Sequence, residues 1–339
     1  MILPQTYGAA LSLIILTMLC WGSWANTFKL AGKWRFELFY YDYSLGVLIA
    51  SAIYALTFWN LGHYGLKFID DLMHAGARET LFGLLGGVVF NLANMLLVAA
   101  ISLAGLAVAF PVGIGLALVI GVIWNYALKP QGNPVLLFSG AAIVVGAIIV
   151  DAFAYRALEA GKAAPSARKV TGKGILLSLV SGLLMGSFFP LVEIGKAGDH
   201  GLGSYAIGFV FAVGVFLSTF VFNLFFMRMP VEGPPVAMSD YFKGTDRQHL
   251  LGILGGLIWA TGTIANFAAA SAPESVQVGP AISYAIGQGA TMVSALWGLL
   301  VWHEFAGAGP RVRLLVVIML VLFVVGLGLV SVAPLYAGR

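Results

Sequence analysis

The chain has 339 residues, 60% of them hydrophobic and only 9% charged, with a formal net charge of +4. A soluble globular protein is about 45–50% apolar and about 25% charged. At a mean hydropathy of +0.96, a soluble enzyme, a nucleic-acid binder and a disordered chain are excluded, and the polypeptide is an integral membrane protein. The lysine and arginine surplus reads as loop charge set by membrane topology, not as a surface for a polyanion.

A spanning helix needs about 20 apolar residues. Ten segments satisfy this: 7–28, 41–61, 80–101, 105–128, 135–155, 175–195, 204–227, 250–271, 276–302 and 314–334. The expected fold is an all-α polytopic membrane protein. The first segment follows Met1-Ile2-Leu3-Pro4-Gln5 with no basic run and no small-residue cleavage site, so it reads as a retained helix. The lone cysteine, Cys20, lies inside it and reads as a small buried hydrophobe. Between the second and third segments, Leu66, Ile69, Leu72 and Met73 recur at helical spacing, with Lys67, Asp70, Asp71 and Arg78 between and beyond them. That pattern predicts a short helix lying in the interface.

The loops after odd-numbered segments carry thirteen lysines and arginines, among them Lys29, Lys33, Arg35, Arg156, Lys162, Arg168, Lys169 and Arg247; the opposite side carries five, Lys67, Arg78, Lys129, Lys196 and Arg339. The positive-inside rule places the richer set in the cytoplasm and both termini outside, in a cell (inner) membrane.

The halves resemble each other. Gly86-Gly87-Val88-Val89-Phe90 aligns with Gly255-Gly256-Leu257-Ile258-Trp259, and the same offset pairs Ser102 with Ser271 and Pro111 with Pro280; Gly22-Ser23-Trp24 matches Gly186-Ser187-Phe188. Five segments per half is an odd number, so the second half enters the membrane from the other side. This predicts two inverted five-helix repeats, 1–155 and 175–339, joined by a cytoplasmic linker, 156–174. Such repeats fit alternating access around a midplane site. Pro111, Pro190 and Pro280 read as prolines inside spans.

Polar groups at membrane depth face an interior cavity or bond between helices. Trp21, Trp24 and Asn26 stand together in the first segment; Asn91 and Asn94 share a face of the third; Trp259, Thr263 and Asn266 form a stripe on the eighth; Tyr284 and Gln288 follow Ser283 in the ninth. These are the candidate substrate ligands. Amides, hydroxyls and indole faces without a central charge suit a neutral, polar, ring-shaped solute. The candidates for proton coupling lie nearer the ends: Glu193, which Lys196 can pair with, Asp42 and Lys29. Asp151 and Glu304 read as span ends. His63, His74 and His200 fall in outer loops with no metal-ligand spacing. There is no P-loop, zinc motif, nucleophile elbow or catalytic carboxylate pair, so neither enzymatic activity nor a cofactor is expected.

Trp21-Gly22-Ser23-Trp24, then Phe28-Lys29, Lys33-Trp34, Glu37 and Asp42-Tyr43-Ser44, resemble the opening of the ureide permease and rhamnose–proton symporter (glucose/ribose porter-like) branch of the drug/metabolite transporter superfamily. Asn125-Tyr126, Gly233-Pro234-Pro235 through Tyr241, and Trp297-Gly298 with His303-Glu304-Phe305, Arg311 and Arg313 are similar to later parts of it. The resemblance implies ten helices as five plus five and secondary transport of neutral solutes: ureides and nucleobases in the ureide permeases, sugars with proton coupling in the rhamnose branch. The expected function is proton-coupled uptake of such a solute, by a monomer or homodimer. An exporter of the same superfamily is the alternative; it would want a central carboxylate. The plant members have a long central loop, whereas 156–174 is short and carries no nucleotide-binding motif, so ATP energisation gains no support.

Overall fold

The computed structural model describes residues 2–58, 66–104, 106–160, 172–230, 233–276 and 278–337. His63, Lys162, Arg168, Lys169 and Arg339, and most of the linker, lie outside the described residues. Ten helices are long and apolar enough to cross a membrane: Tyr7–Leu30, Phe36–Leu56, Ala77–Ile101, Val108–Leu128, Pro134–Leu158, Gly172–Gly195, Ser204–Arg228, Asp246–Ala270, Pro280–Val301 and Pro310–Tyr336. They are called spans one to ten below. The face bearing the loops after spans one, three, five, seven and nine is the odd face; its opposite is the even face.

Helix starts follow local chemistry. Thr6 caps span one, accepting from Ala9 N at 3.2 Å. Asn133 Oδ1 accepts from Val135 N at 3.0 Å and Leu136 N at 3.2 Å, with Pro134 as first residue of span five. Thr245 and Gln248 close a capping box, with Thr245 N donating to Gln248 Oε1 at 2.9 Å. This box starts span eight at Asp246, one helical turn earlier than the hydropathy suggests. Charged residues in that first turn had masked it, and His249 consequently belongs to the span.

Other boundaries also differ from expectation. Span two begins at Phe36, not at 41, so Asp42 lies in its second turn and is 2% exposed. Span nine begins at Pro280, its first residue, after a short 3₁₀ turn at Glu274–Val276. Pro280 is therefore not inside a span; it occupies the helix start, where a missing N–H costs nothing. Pro111 and Pro190 are inside their helices. Spans one and nine are also broken, at Trp24 and at Gln288–Gly289.

The interface helix is present as Phe68–His74. Phe68 and Asp71 are buried, while Ile69 is 56% and Met73 74% exposed. Asp71 Oδ2 accepts from Gly203 N at 3.1 Å, joining the two halves at the even face. Burial raises this carboxyl above its ordinary value of 3.8, against the lowering effect of that bond. The folded state therefore favours the protonated form, and the chain loses stability as pH rises through the folded value. Asparagine keeps an acceptor for Gly203 and has no charge to bury. Asp71→Asn is expected to melt above the wild type at pH 7, with the gap closing towards pH 3.8; a melting series across pH checks it.

Helix packing follows an exchange pattern. Span one lies on span eight and span six on span three; span two lies on eight and seven on three. Spans two and seven, four and nine, and five and ten pair across the middle. The close contacts repeat it. A Cβ on Gly87 would sit 2.1 Å from Phe211 O and 2.9 Å from Val215 N; one on Gly256 would sit 2.0 Å from Tyr43 O and 2.7 Å from Val47 N. Gly214 and Gly46 seat Leu84 O and Ile253 O in the same mirrored way. Only glycine lets two backbones approach so far.

Candidate functional site

A cavity of about 350 Å³ opens between the halves at mid-span. Its walls come from spans one, two, three, four, six, eight and nine. Trp24, Phe28, Phe36, Phe110 and Phe188 present ring surface. A second cavity of about 420 Å³ shares Phe28, Phe36 and Val98 with the first and runs past Trp34, Arg35 and Gly233, loop residues of the odd face. The two cavities adjoin across these shared residues, and the second reaches that face.

An aromatic floor closes the other end. Trp259 stacks on Phe90 at 4.4 Å, with Phe211 at 6.1 Å and Trp21 at 6.2 Å. Beneath lie Phe189, Phe267 and Tyr284, with centroids 5.4 Å apart for Phe189–Phe267 and 5.5 Å for Phe189–Tyr284. These last three are fully buried. The rings come from spans one, three, six, seven, eight and nine, so the floor ties both halves together.

Among the described residues, no charged side chain lines the central cavity. Asn94 Nδ2 donates to Tyr40 Oη at 3.0 Å, which fixes the amide and leaves Oδ1 as an acceptor on the wall. Gln288 also lines the cavity, and its side chain bonds to no described residue. Thr291 Oγ1 donates to Gln288 O at 2.9 Å and Ser294 Oγ to Gly22 O at 3.0 Å, so both hydroxyls turn their hydrogens to the backbone. A solute here meets ring faces and two amides, one rigid and one adaptable.

Of the ten candidate ligands, the structure brings Trp21, Trp24, Asn94, Trp259 and Gln288 to this cavity. The other five do not line it. Asn91 is fully buried and donates to Val215 O, Ser218 Oγ and Thr219 Oγ1 at 2.8–3.2 Å, holding span three to span seven. Asn266 is closed off by Ser283, whose Oγ donates to its Oδ1 at 2.7 Å. Thr263 Oγ1 accepts from Trp21 Nε1 at 3.0 Å. Tyr284 Oη donates between Ala117 O and Met185 O. Asn26 accepts from Trp302 Nε1 at 2.6 Å and donates to Ser23 O. Sequence periodicity places these residues on inward faces, but it does not separate a helix–helix contact from a cavity wall.

The coupling candidates are all paired. Glu193 and Lys196 form a mostly buried ion pair of 2.6 Å at the even end of span six, and burial lowers the Lys196 ammonium. Lys29 meets Glu304 at 2.7 Å and lies over the Trp302 ring at 4.2 Å. Tyr155 Oη also donates to Glu304, at 3.0 Å. Asp42 accepts from Tyr241 Oη at 2.5 Å and pairs with His249 Nδ1 at 2.8 Å. His249 and Tyr241 were not singled out from sequence; the Thr245–Gln248 capping box is the signal that would have found His249. At the mouth, Arg35 holds Glu37 through two bonds, of 2.7 Å and 3.1 Å.

A bundle of ten apolar helices around an uncharged cavity, reached from one face and closed towards the other, has the architecture of a membrane transporter of small polar solutes. The family model described as Sugar transport protein matches residues 12–333, and the chain belongs to that family. It is 25% identical to Ureide permease 1 of Arabidopsis thaliana over 96% of this chain and 97% of the relative, and 25% identical to Ureide permease 2 of the same plant over 96% of each. Both alignments are longer than the chain itself, 392 and 399 residues, so the relatives carry insertions. A solved crystal structure at 15% identity superimposes with a TM-score of 0.58 over 96% of this chain and 98% of the other, which establishes the likeness of fold alone. The relatives are permeases, in keeping with a transporter rather than an enzyme.

Proposed function

We propose that the protein takes up a small neutral polar solute, a ring-shaped ureide, nucleobase or sugar, by proton-coupled alternating access between two inverted repeats. The observation that carries this reading is the uncharged cavity wall of aromatic faces with Asn94 and Gln288 as its amides. A planar neutral ring gains face contact from the indoles and donor–acceptor pairing from the amides, and sheds little hydration in exchange. A cation or anion would find no counter-charge there, which disfavours the exporter alternative. The names of the relatives support the ureide side of the range and the family description the sugar side.

The odd face, rich in lysine and arginine, is the cytoplasmic one in this reading, and both termini lie outside. The cavity route then opens inward, and the aromatic floor is the closed outer barrier. The mirrored helix contacts support an exchange of the two shapes about the midplane.

The test is uptake of radiolabelled allantoin, uracil and D-glucose into proteoliposomes, with and without an acid-outside pH gradient. One chemical group should accumulate, and only with the gradient; equal influx in both conditions would remove proton coupling. Two variants separate solute contact from helix contact. Asn94→Ala is expected to weaken affinity about three- to tenfold, the loss of one hydrogen bond of about 1 kcal/mol, beside a lowered melting temperature from the lost bond to Tyr40 Oη. Asn91→Ala is expected to lower the melting temperature while transport per folded molecule stays near wild type. Affinity measured beside melting for both variants checks this.

A further inference from the structure

We propose that Asp42 and His249 together bind a proton at the odd-face mouth, and that the bound proton loosens the 233–245 strap which borders that mouth. This rests on the reading that the solute route passes through the mouth, not on proton-driven uptake.

The strap crosses the ends of spans two and seven. Its residue Gly233 lines the mouth cavity. Val236 N donates to Met227 O at 3.0 Å, and Val236 and Tyr241 pack on Leu38, Tyr41 and Met227. Two polar ties bind it to the start of span two: Arg35 Nη1 donates to Pro234 O at 3.0 Å, and Tyr241 Oη donates to Asp42 Oδ1 at 2.5 Å. The second is a charge-assisted bond while Asp42 is ionised, roughly twice as strong as a neutral one. Burial, and the hydrogen bond to Asp42, push the Tyr241 hydroxyl far up, so it keeps its hydrogen and remains the donor.

Asp42 is 2% exposed and has no direct route to solvent; His249 is 24% exposed and supplies one. The proton balance is that of a relay. A hydronium transfers a proton to His249 Nε2 while the Nδ1 hydrogen passes to Asp42 Oδ2. The hydronium O–H bond and the Nδ1–H bond break, the Nε2–H and Asp42 Oδ2–H bonds form, water leaves, and the imidazole ends neutral in its other tautomer. Asp42 then carries no charge, and the Tyr241 tie falls to a neutral bond. The strap's stronger hold is lost.

The surrounding charges are engaged elsewhere or exposed. Glu37 on span two is held by Arg35, Asp240 by Lys243 at 2.6 Å, and Lys29 by Glu304. Arg247 on span eight donates to Leu30 O at 3.4 Å. Lys33, Arg228 and Asp246 are exposed. Trp34 meets His249 edge-on at 5.7 Å and Tyr241 does so at 4.7 Å, adding no charge.

The experiment is thiol accessibility in the purified full-length chain in detergent, with no solute present. In a Cys20→Ser background, Phe226→Cys places a thiol in the mouth cavity. Maleimide labelling is followed from pH 8 to pH 5.5, each rate divided by that of the same thiol after unfolding in SDS, which cancels thiolate chemistry. The expected result is accessibility at least fivefold higher at pH 5.5 than at pH 8. Asp42→Asn, fixed neutral, and Tyr241→Phe, lacking the tie, should both be highly accessible at pH 8 and insensitive to pH. A pH-independent parent, or an Asp42→Asn protein that labels as slowly as the parent at pH 8, overturns the proposal. Should Asp42→Asn not fold, slow labelling of Tyr241→Phe at pH 8 overturns it equally. The transport reading fails only in its own uptake assay, so the two failures are distinct.

Discussion

Gly256→Leu is expected to leave almost no correctly folded protein. A Cβ alone would stand 2.0 Å from Tyr43 O and 2.7 Å from Val47 N, and both obstacles are main chain. Adding bulk to a packed core costs about 1–3 kcal/mol even where neighbouring side chains can rotate away. Here nothing can rotate; span eight must move off span two, and with it the Trp259 floor and the hold of His249 on Asp42. Gly87→Leu should act alike, because Phe211 O and Val215 N stand in the corresponding places. Size-exclusion profiles and melting curves of the two variants check this. Melting within a few degrees of wild type for either one would mean that the backbones are not in contact at that site.

Trp24→Ala is expected to weaken solute affinity about tenfold while leaving a folded protein. Trp24 lines the central cavity and packs against Tyr43 with centroids 4.7 Å apart. Removing the indole takes away a face on which a planar ring rests, about 1–2 kcal/mol of contact, or roughly tenfold in the dissociation constant. Tyr43 is fully buried and held on its other sides by Tyr40 at 4.9 Å, so the wall does not collapse. Titration of melting temperature with allantoin, uracil or D-glucose gives the dissociation constant, since stabilisation follows RT ln(1 + [L]/Kd). An unchanged constant would place the solute away from this wall.

The spans were legible in the sequence because twenty apolar residues in a row have few other uses. Their ends were less so wherever a helix starts among polar residues, as at Asp246, where the capping box and not hydropathy sets the start. The likeness of Gly86–Phe90 to Gly255–Trp259 falls on matching close contacts, at Gly87 and Gly256, where backbone approach leaves room only for glycine. Pro111 and Pro280 do not match: one is inside a helix and the other begins one. Gly22 on Ala290 O and Gly186 on Ala117 O are seated alike, in keeping with the proposed repeat. The cavity wall was half legible. Trp24, Asn94 and Gln288 line it, while Asn91 and Asn266 are enclosed between their own helix and the partners they bond to on the next, and no pattern within one helix encodes that.

Phe90 and Trp259 hold matching places in the two halves and lie ring on ring at the centre. In the proposed exchange of the two halves' shapes, each ring moves to where the other was and the pair stays where it is. The stack is then a fulcrum more than a door: the proposed rocking uncovers one side of it and covers the other without pulling the rings apart. A carrier that works in this way shifts its opening around a fixed point, and the contact in its middle need never be broken during the cycle.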